Sequence, residues 1–307
     1  MNDPLLAHPP VHTLRSRLQD AVHYALYYTL RHAPIDFVSD LGSTFVRWSV
    51  PRHRPGIIAG ARRNLRRLRP DAEPAAIEAA IHSFLDNVGR MMAEFTSLPR
   101  LHEAGRIAVT ERFEQGAAGL TSAPTIAIML HTGNWEVCAA ALHARNLPVA
   151  SFAIPPETWA QRVIATKVRK QLGITILSPD TRGLRDARQR LQKGGTVSIF
   201  CDEAKAGILM APLFGRPPHR GGNLAIAAWL ARESKSRVIV VNCRRLRKSR
   251  FLIDATDYFH LPPAAASGEK RVLDDIAHLN AVIEPVIRAN LDQWYFLDNP
   301  TEPPTSG

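Results

Sequence analysis

The second two-thirds of the chain alternates short apolar runs with amphipathic segments of helical period, and the first third carries the helical period alone. The apolar runs predict strands at 107–110, 125–130, 149–154, 174–177, 196–200, 237–243 and 251–255. Between and after them the spacing predicts helices at 134–146, 157–172, 181–193, 223–234 and 270–291. Strand, helix, strand in succession predicts an α/β fold: a mainly parallel sheet flanked by helices, with right-handed crossovers. Upstream, Leu14, Leu18, Val22, Ala25 and Thr29 recur at helical spacing beside Arg15, Arg17 and Arg31, with Tyr24, Tyr27 and Tyr28 near one end. A basic, tyrosine-bearing amphipathic helix fits a membrane surface and fits packing on the protein's own core equally well. A second apolar segment, 37–50, carries the same two readings. A basic helix around Arg62 to Arg69 follows, and then a helix with Ile77, Ile81, Leu85, Val88, Met92 and Phe95 on one stripe. The chain therefore divides into an N-terminal helical, candidate membrane-associating section (1–55), a main domain (56–298) and a Pro-rich tail expected to fray (299–307).

Composition narrows this picture. With 307 residues, 45% of them hydrophobic, the chain can bury a large core without a linker to split it. The net charge of +11 predicts attraction to polyanions: nucleic acid, an anionic membrane or a phosphorylated substrate. The three cysteines, Cys138, Cys201 and Cys243, fall inside predicted elements without metal-ligand spacing and read as reduced core residues. No signal peptide opens the sequence, and no run in its first fifty residues approaches the roughly 18–20 apolar residues of a spanning helix.

The chemistry concentrates at the end of the second strand, in Thr125-Ile-Ala-Ile-Met-Leu-His131-Thr-Gly-Asn-Trp-Glu136. Ligands of parallel sheets gather at strand carboxyl ends, which is where His131 falls. Gly133 permits a sharp turn, Asn134 suits an N-cap, and Glu136 falls in the first turn of the next helix. Inside one continuous helix the two side chains would point roughly 140° apart at about 100° per residue. With a turn between them the carboxylate can fold back to the ring, fix its tautomer and let it take a proton from an attacking hydroxyl. The turn holds no serine or cysteine nucleophile, so direct transfer to an acceptor hydroxyl is expected. The amide hydrogens of Gly133 and Asn134 are candidate oxyanion donors. Asp202 ends a second strand, where it either meets substrate or orients a loop.

His131-Thr-Gly-Asn-Trp-Glu136 resembles the H-x4-D/E signature of the bacterial lipid A late acyltransferases, the lauroyl- and myristoyltransferases of the glycerolipid and lysophospholipid acyltransferase group. Further on, Gly194-Gly-Thr-Val-Ser-Ile-Phe-Cys-Asp202-Glu, then Gly207 and Ala211-Pro-Leu-Phe-Gly215-Arg-Pro, resemble its G-x-V-x-x-x-x-D and P-F-F-G stretches. Asn64-Leu, the helix from Asn223, the strand ending in Arg244 and the closing Asp292-Gln-Trp-Tyr-Phe extend the likeness from about residue 35 to 297. The resemblance implies an O-acyltransferase of lipid A and lipopolysaccharide biosynthesis. It would move an acyl chain from an acyl carrier protein or coenzyme A thioester to a hydroxyl of an anionic membrane lipid, without other cofactor, metal or covalent enzyme intermediate.

In that scheme His131 is the general base and Glu136 its partner, while Arg169, which precedes Leu172-Gly173 as in the family, and Arg182 are candidate phosphate or phosphopantetheine ligands. The resemblance also implies a peripheral or monotopic place on the cytoplasmic face of the bacterial inner membrane. Departures bear on the acceptor. Phe152-Ala-Ile-Pro155 lacks the arginine of the family's Tyr-Arg-Pro, Asp-Gln is Asp202-Glu203, Leu213 replaces a phenylalanine, and Trp294-Tyr-Phe-Leu-Asp298 lacks trailing basic residues. Together they suggest an altered headgroup, which leaves a lipid A precursor, an ornithine lipid, a lysophospholipid or another glycolipid open. Of other classes, a catalytically dead lipid binder disagrees with the intact His131 and Glu136. Nucleic-acid binding through the Arg62–Arg69 and Arg244–Arg250 runs lacks the interleaved aromatics that stack bases, so no nucleic acid is expected.

Overall fold

In the computed structural model, which describes residues 4–6, 13–263 and 265–302, the helical third comes first. It comprises α1 (Leu14–Leu30), α2 (Ile35–His53), α3 (Pro55–Leu68), α4 (Pro74–Glu94) and the short α5 (Leu98–Glu103). Alternation then begins with β1 (Ile107–Val109), α6 (Glu111–Gly119), β2 (Thr125–Met129), α7 (Glu136–His143), β3 (Val149–Phe152), α8 (Trp159–Gln171), β4 (Ile174–Leu177), α9 (Thr181–Gln192) and β5 (Thr196–Phe200). A hairpin of β6 (Ala204–Lys205) and β7 (Ile208–Leu209) follows, then α10 (Asn223–Glu233), β8 (Arg237–Arg247), β9 (Arg250–Ala255) and α11 (Gly268–Ala289). Each of the seven sequence-predicted strands is present, within a few residues at its ends.

The seven-stranded sheet runs β1-β9-β8-β2-β5-β3-β4. Every neighbouring pair is parallel except β8 and β9, which form an antiparallel hairpin. The uninterrupted apolar run of β2 has its physical cause in this order: the strand is flanked by β8 and β5 and covered on both faces. Ile126, Ile128 and Leu130 belong to one buried cluster, Ala127 and Met129 to the other.

Two small-residue contacts hold the helical third, one within it and one to the C-terminal segment. Gly42 of α2 and Gly89 of α4 meet so closely that a Cβ on Gly42 would lie 2.3 Å from the Gly89 carbonyl oxygen. On α3, a Cβ on Gly60 would lie 2.3 Å from the carbonyl oxygen of Asp298. Beside it Asn64 donates its side-chain amide to the carbonyls of Leu297 and Asn299 and accepts the Thr301 hydroxyl. Residues 299–302 are thus pinned and not frayed as expected; residues 303–307 lie outside those described.

The N-terminal apolar positions face two ways. On α2, Val38 and Val46 are buried while Phe37, Leu41, Phe45 and Trp48 are exposed, and on α1 Leu14, Leu18 and Val22 also point to solvent. Among the described residues no helix is long and apolar enough to cross a membrane. The arginine runs are partly consumed internally: Arg62 pairs with Glu78, Arg63 with Glu302, and Arg245 is buried against Glu94.

Candidate active site

The sheet order decides which carboxylate meets His131. Strands β2 and β5 pair in register from Thr125↔Thr196 to Met129↔Phe200. His131 and Asp202 each lie two residues beyond that last pair, so the two side chains leave adjacent strands at the same level. The result is a His131 Nδ1 to Asp202 Oδ1 contact of 2.8 Å, with the backbone N–H of His131 donating to Asp202 Oδ2 at 2.8 Å. Asp202, fully buried, accepts a third bond at Oδ2 from Trp294 Nε1 at 2.9 Å. The expectation that Glu136 holds the ring is therefore corrected. Glu136 opens α7 and accepts a bond at Oε1 from Arg169 Nη2 at 3.0 Å, and Asp202 is the ring's carboxylate.

This geometry sets the tautomer. With Nδ1 facing a buried acceptor carboxylate, the neutral ring carries its proton on Nδ1, and Nε2 is left as a lone-pair acceptor without a partner among the described residues. The ring is steadied by aromatic neighbours: Phe200 at 4.5 Å, Trp135 at 4.7 Å and Phe296 at 5.0 Å between centroids.

The turn itself is held from beneath by a buried polar network. Arg245 donates through Nη1 and Nη2 to the two oxygens of Glu94 at 2.6 and 2.9 Å, and through Nε to Asn87 at 2.8 Å. The Asn134 side-chain amide donates to Glu94, and the Asn87 amide donates to the Gly133 carbonyl. Gly133 has φ +59°, and a Cβ there would lie 2.6 Å from the Cys243 carbonyl oxygen, so only glycine fits. Its N–H donates to the Gln293 carbonyl. Two expectations change accordingly: the Gly133 amide is already occupied, and Asn134 is a buried network member, the residue before α7 being Trp135. The C-terminal segment completes the turn, with the Tyr295 N–H on the His131 carbonyl and a bridge between Thr132 and Trp294.

Next to His131 a mostly apolar pocket of about 230 Å³ opens between α7, α8 and strands β3 and β4. Its polar lining includes His131, Glu136, Arg169, Glu203 and Asn223, and its apolar wall includes Leu142, Phe152, Leu172 and Ile174. Arg169 thus belongs to the site and is oriented by Glu136. Arg182, exposed at the start of α9, does not line the pocket. Asp202 lies behind the ring, where a substrate group has no access. Two parts escaped the sequence reading. Trp294 carried only the likeness of its motif, with no sign of its bond to Asp202. Glu203 was noted only as a departure, yet it accepts the backbone N–H of Asn223 at 2.7 Å and lines the pocket. Burial pushes its carboxyl up to about 6.

A histidine base over a buried carboxylate, beside an apolar pocket with one arginine, can activate a hydroxyl against an acyl group. A search of curated proteins finds no match. Among solved structures, the 1-acyl-sn-glycerophosphate (LPA) acyltransferase PlsC from Thermotoga maritima is similar at 11% identity, covering 83% of this chain and 97% of that one with a TM-score of 0.37. The model of the family described as bacterial lipid A biosynthesis acyltransferase matches residues 12–300. The chain therefore belongs to the bacterial lipid A biosynthesis acyltransferase family and is an acyltransferase.

Proposed function

We propose that the protein transfers a fatty acyl chain from an acyl carrier protein or coenzyme A thioester to a hydroxyl of an anionic membrane lipid, a lipid A precursor by family, with His131 as general base. The observation that carries this is the His131 Nδ1–Asp202 contact at 2.8 Å beside an apolar pocket. Nε2 takes the acceptor's hydroxyl proton, the oxygen attacks the thioester carbonyl carbon, and the imidazolium is stabilised by Asp202. On collapse the C–S bond breaks and the thiolate takes the proton back from Nε2. Arg169, held by Glu136 in the wall of the pocket, stabilises the oxyanion electrostatically, and the apolar wall takes the donor's acyl chain. Glu136 thereby acts through Arg169 and not through the ring. The exposed apolar and basic side chains of α1 and α2 support a peripheral or monotopic position on the cytoplasmic face of the inner membrane.

The test is transfer from an acyl thioester by purified variants. His131→Ala is expected to lower kcat by about 10³-fold or more, and Asp202→Asn by about 10²-fold or more through the wrong tautomer. Glu136→Gln, which loosens Arg169 but leaves the ring bonded, is expected to cost less than Asp202→Asn. Near wild-type transfer by His131→Ala sinks the assignment, and a larger loss in Glu136→Gln than in Asp202→Asn restores Glu136 as the ring's partner.

A further inference from the structure

A second cavity lies beside the catalytic turn, with Phe296 between it and the imidazole. A groove of about 350 Å³ lies between α2, α3 and α4 and the β6–β7 hairpin, with Val46, Val50, Ile57, Phe84, Leu85 and Val88 among its walls. It touches the catalytic centre through Phe296, a groove residue whose ring centroid lies 5.0 Å from that of His131. The pocket described above touches the same ring through Phe200 at 4.5 Å. The two cavities also part along the chain: Glu203 lines the pocket and Ala204, the next residue, lines the groove.

The groove's chemistry selects its occupant. Its walls are mainly aliphatic and aromatic, which suits a hydrocarbon chain and no polar polymer. Its principal cation is Arg54, exposed at the break between α2 and α3, whose guanidinium has no partner among the described residues. An anionic headgroup finds there a guanidinium that is not ion-paired among the described residues. Asp298 also lines the groove, and burial raises its carboxyl from the ordinary value. The helix that supplies Val46 and Val50 to the groove carries the exposed Phe45 and Trp48 on its outer side.

We propose that this groove holds a hydrocarbon chain of the acceptor lipid, with its anionic headgroup on Arg54. The two chains then approach the catalytic turn from separate cavities, the donor's from the pocket that His131 lines and the acceptor's from the groove behind Phe296. This rests on the acyl-transfer reading of His131, and the experiment separates the two. The full chain is bound to mixed phosphatidylcholine and phosphatidylglycerol vesicles and irradiated with a single-chain lysophosphatidate bearing a diazirine at its chain end. A diazirine-bearing acyl thioester serves as the second probe, and adducts are located by mass spectrometry.

The lysolipid is expected to label peptides containing Val50, Ile57 or Val88, and the thioester to label those containing Phe152 or Ile174. Labelling needs no turnover, so the same two maps are expected in His131→Ala whatever that variant's rate. Val50→Trp, which fills the groove, is expected to lower lysolipid adducts at least about fivefold. Undiminished thioester labelling of the pocket in that variant shows that it is folded, and Ile57→Trp replaces it if it is not. Lysolipid adducts confined to the pocket peptides, or undiminished in the groove-filled variant, overturn the proposal. Full transfer by His131→Ala with the two maps intact would instead overturn the catalytic reading alone.

Discussion

Adjacent carboxylates at the end of β5 have opposite surroundings. Asp202 accepts three hydrogen bonds, from the His131 ring, the His131 backbone N–H and Trp294. Glu203 accepts one, from the Asn223 N–H, and its Oε2 is buried without a hydrogen-bond partner among the described residues. Burial is the largest influence on Glu203 and raises its carboxyl from 4.5 to about 6, with the Asn223 bond and the charge of His131 acting the other way. A carboxyl raised in the folded state binds more protons there than in the unfolded chain, so its contribution is fully present below pH 4.5 and is lost as pH rises through 6. The shift corresponds to about 2 kcal/mol. Glu203→Gln keeps a carbonyl for the Asn223 amide and removes the ionisation. The variant is expected to be more stable than the parent by up to about 2 kcal/mol above pH 6.5, with the gain shrinking toward zero near pH 4. Urea midpoints across that range check this, and a gain that is flat with pH would mean that titration of Glu203 is not its source. The family's usual glutamine at this position is the residue that would give the flatter profile.

At the scale of elements, the turn after β2 owes its shape to α4 and β8. Glu94 and Arg245 are almost fully buried and form a two-pronged pair that also holds Asn87 and Asn134. Truncating one partner strands the other charge. Arg245→Met is therefore expected to cost about 3–5 kcal/mol, whereas the double change with Glu94→Gln is expected to recover much of that loss. Chemical denaturation of the set checks it, and an additive double variant would mean that the pair is not coupled. The same region marks the limit of what the chain discloses. The run 125–130 reads as a strand because burial on both faces leaves no polar position from 126 to 130, and the turn is legible because Gly133 must take φ +59°. Strand order is not legible, since nothing local in β5 says that it lies beside β2. Glu136, five positions from His131, was thus the visible carboxylate, while the one that bonds the ring is 71 positions away. Arg245 is hidden for a similar reason: it stands in a basic run with no acidic neighbour nearby in sequence, and only the fold places Glu94 against it.

For the whole molecule, the decisive asymmetry lies in what the helical third leaves uncovered. In the proposed peripheral position the net charge of +11 would draw the chain to an anionic surface, an attraction screened over about 8–10 Å at ordinary ionic strength. Charge alone would let salt remove the protein from that surface. The exposed row Phe37, Leu41, Phe45 and Trp48 on α2 adds apolar area that salt does not screen, and Arg52, stacked on Trp48 at 5.2 Å, adds a cation beside it. Burying two large side chains contributes about 3–5 kcal/mol at roughly 25 cal/mol per Å². Replacing both Phe45 and Trp48 by Glu is therefore expected to lower binding to phosphatidylglycerol-containing vesicles at least about a hundredfold. The parent chain should keep a salt-resistant fraction that the variant loses. Both side chains are exposed, so the fold and donor thioester labelling are expected to survive the change. Flotation at low and high salt reads the two contributions separately. Equal flotation of parent and variant at high salt would assign docking to charge alone. Loss on deleting α1 with none in the α2 variant would move the contact surface to the leucine row of α1.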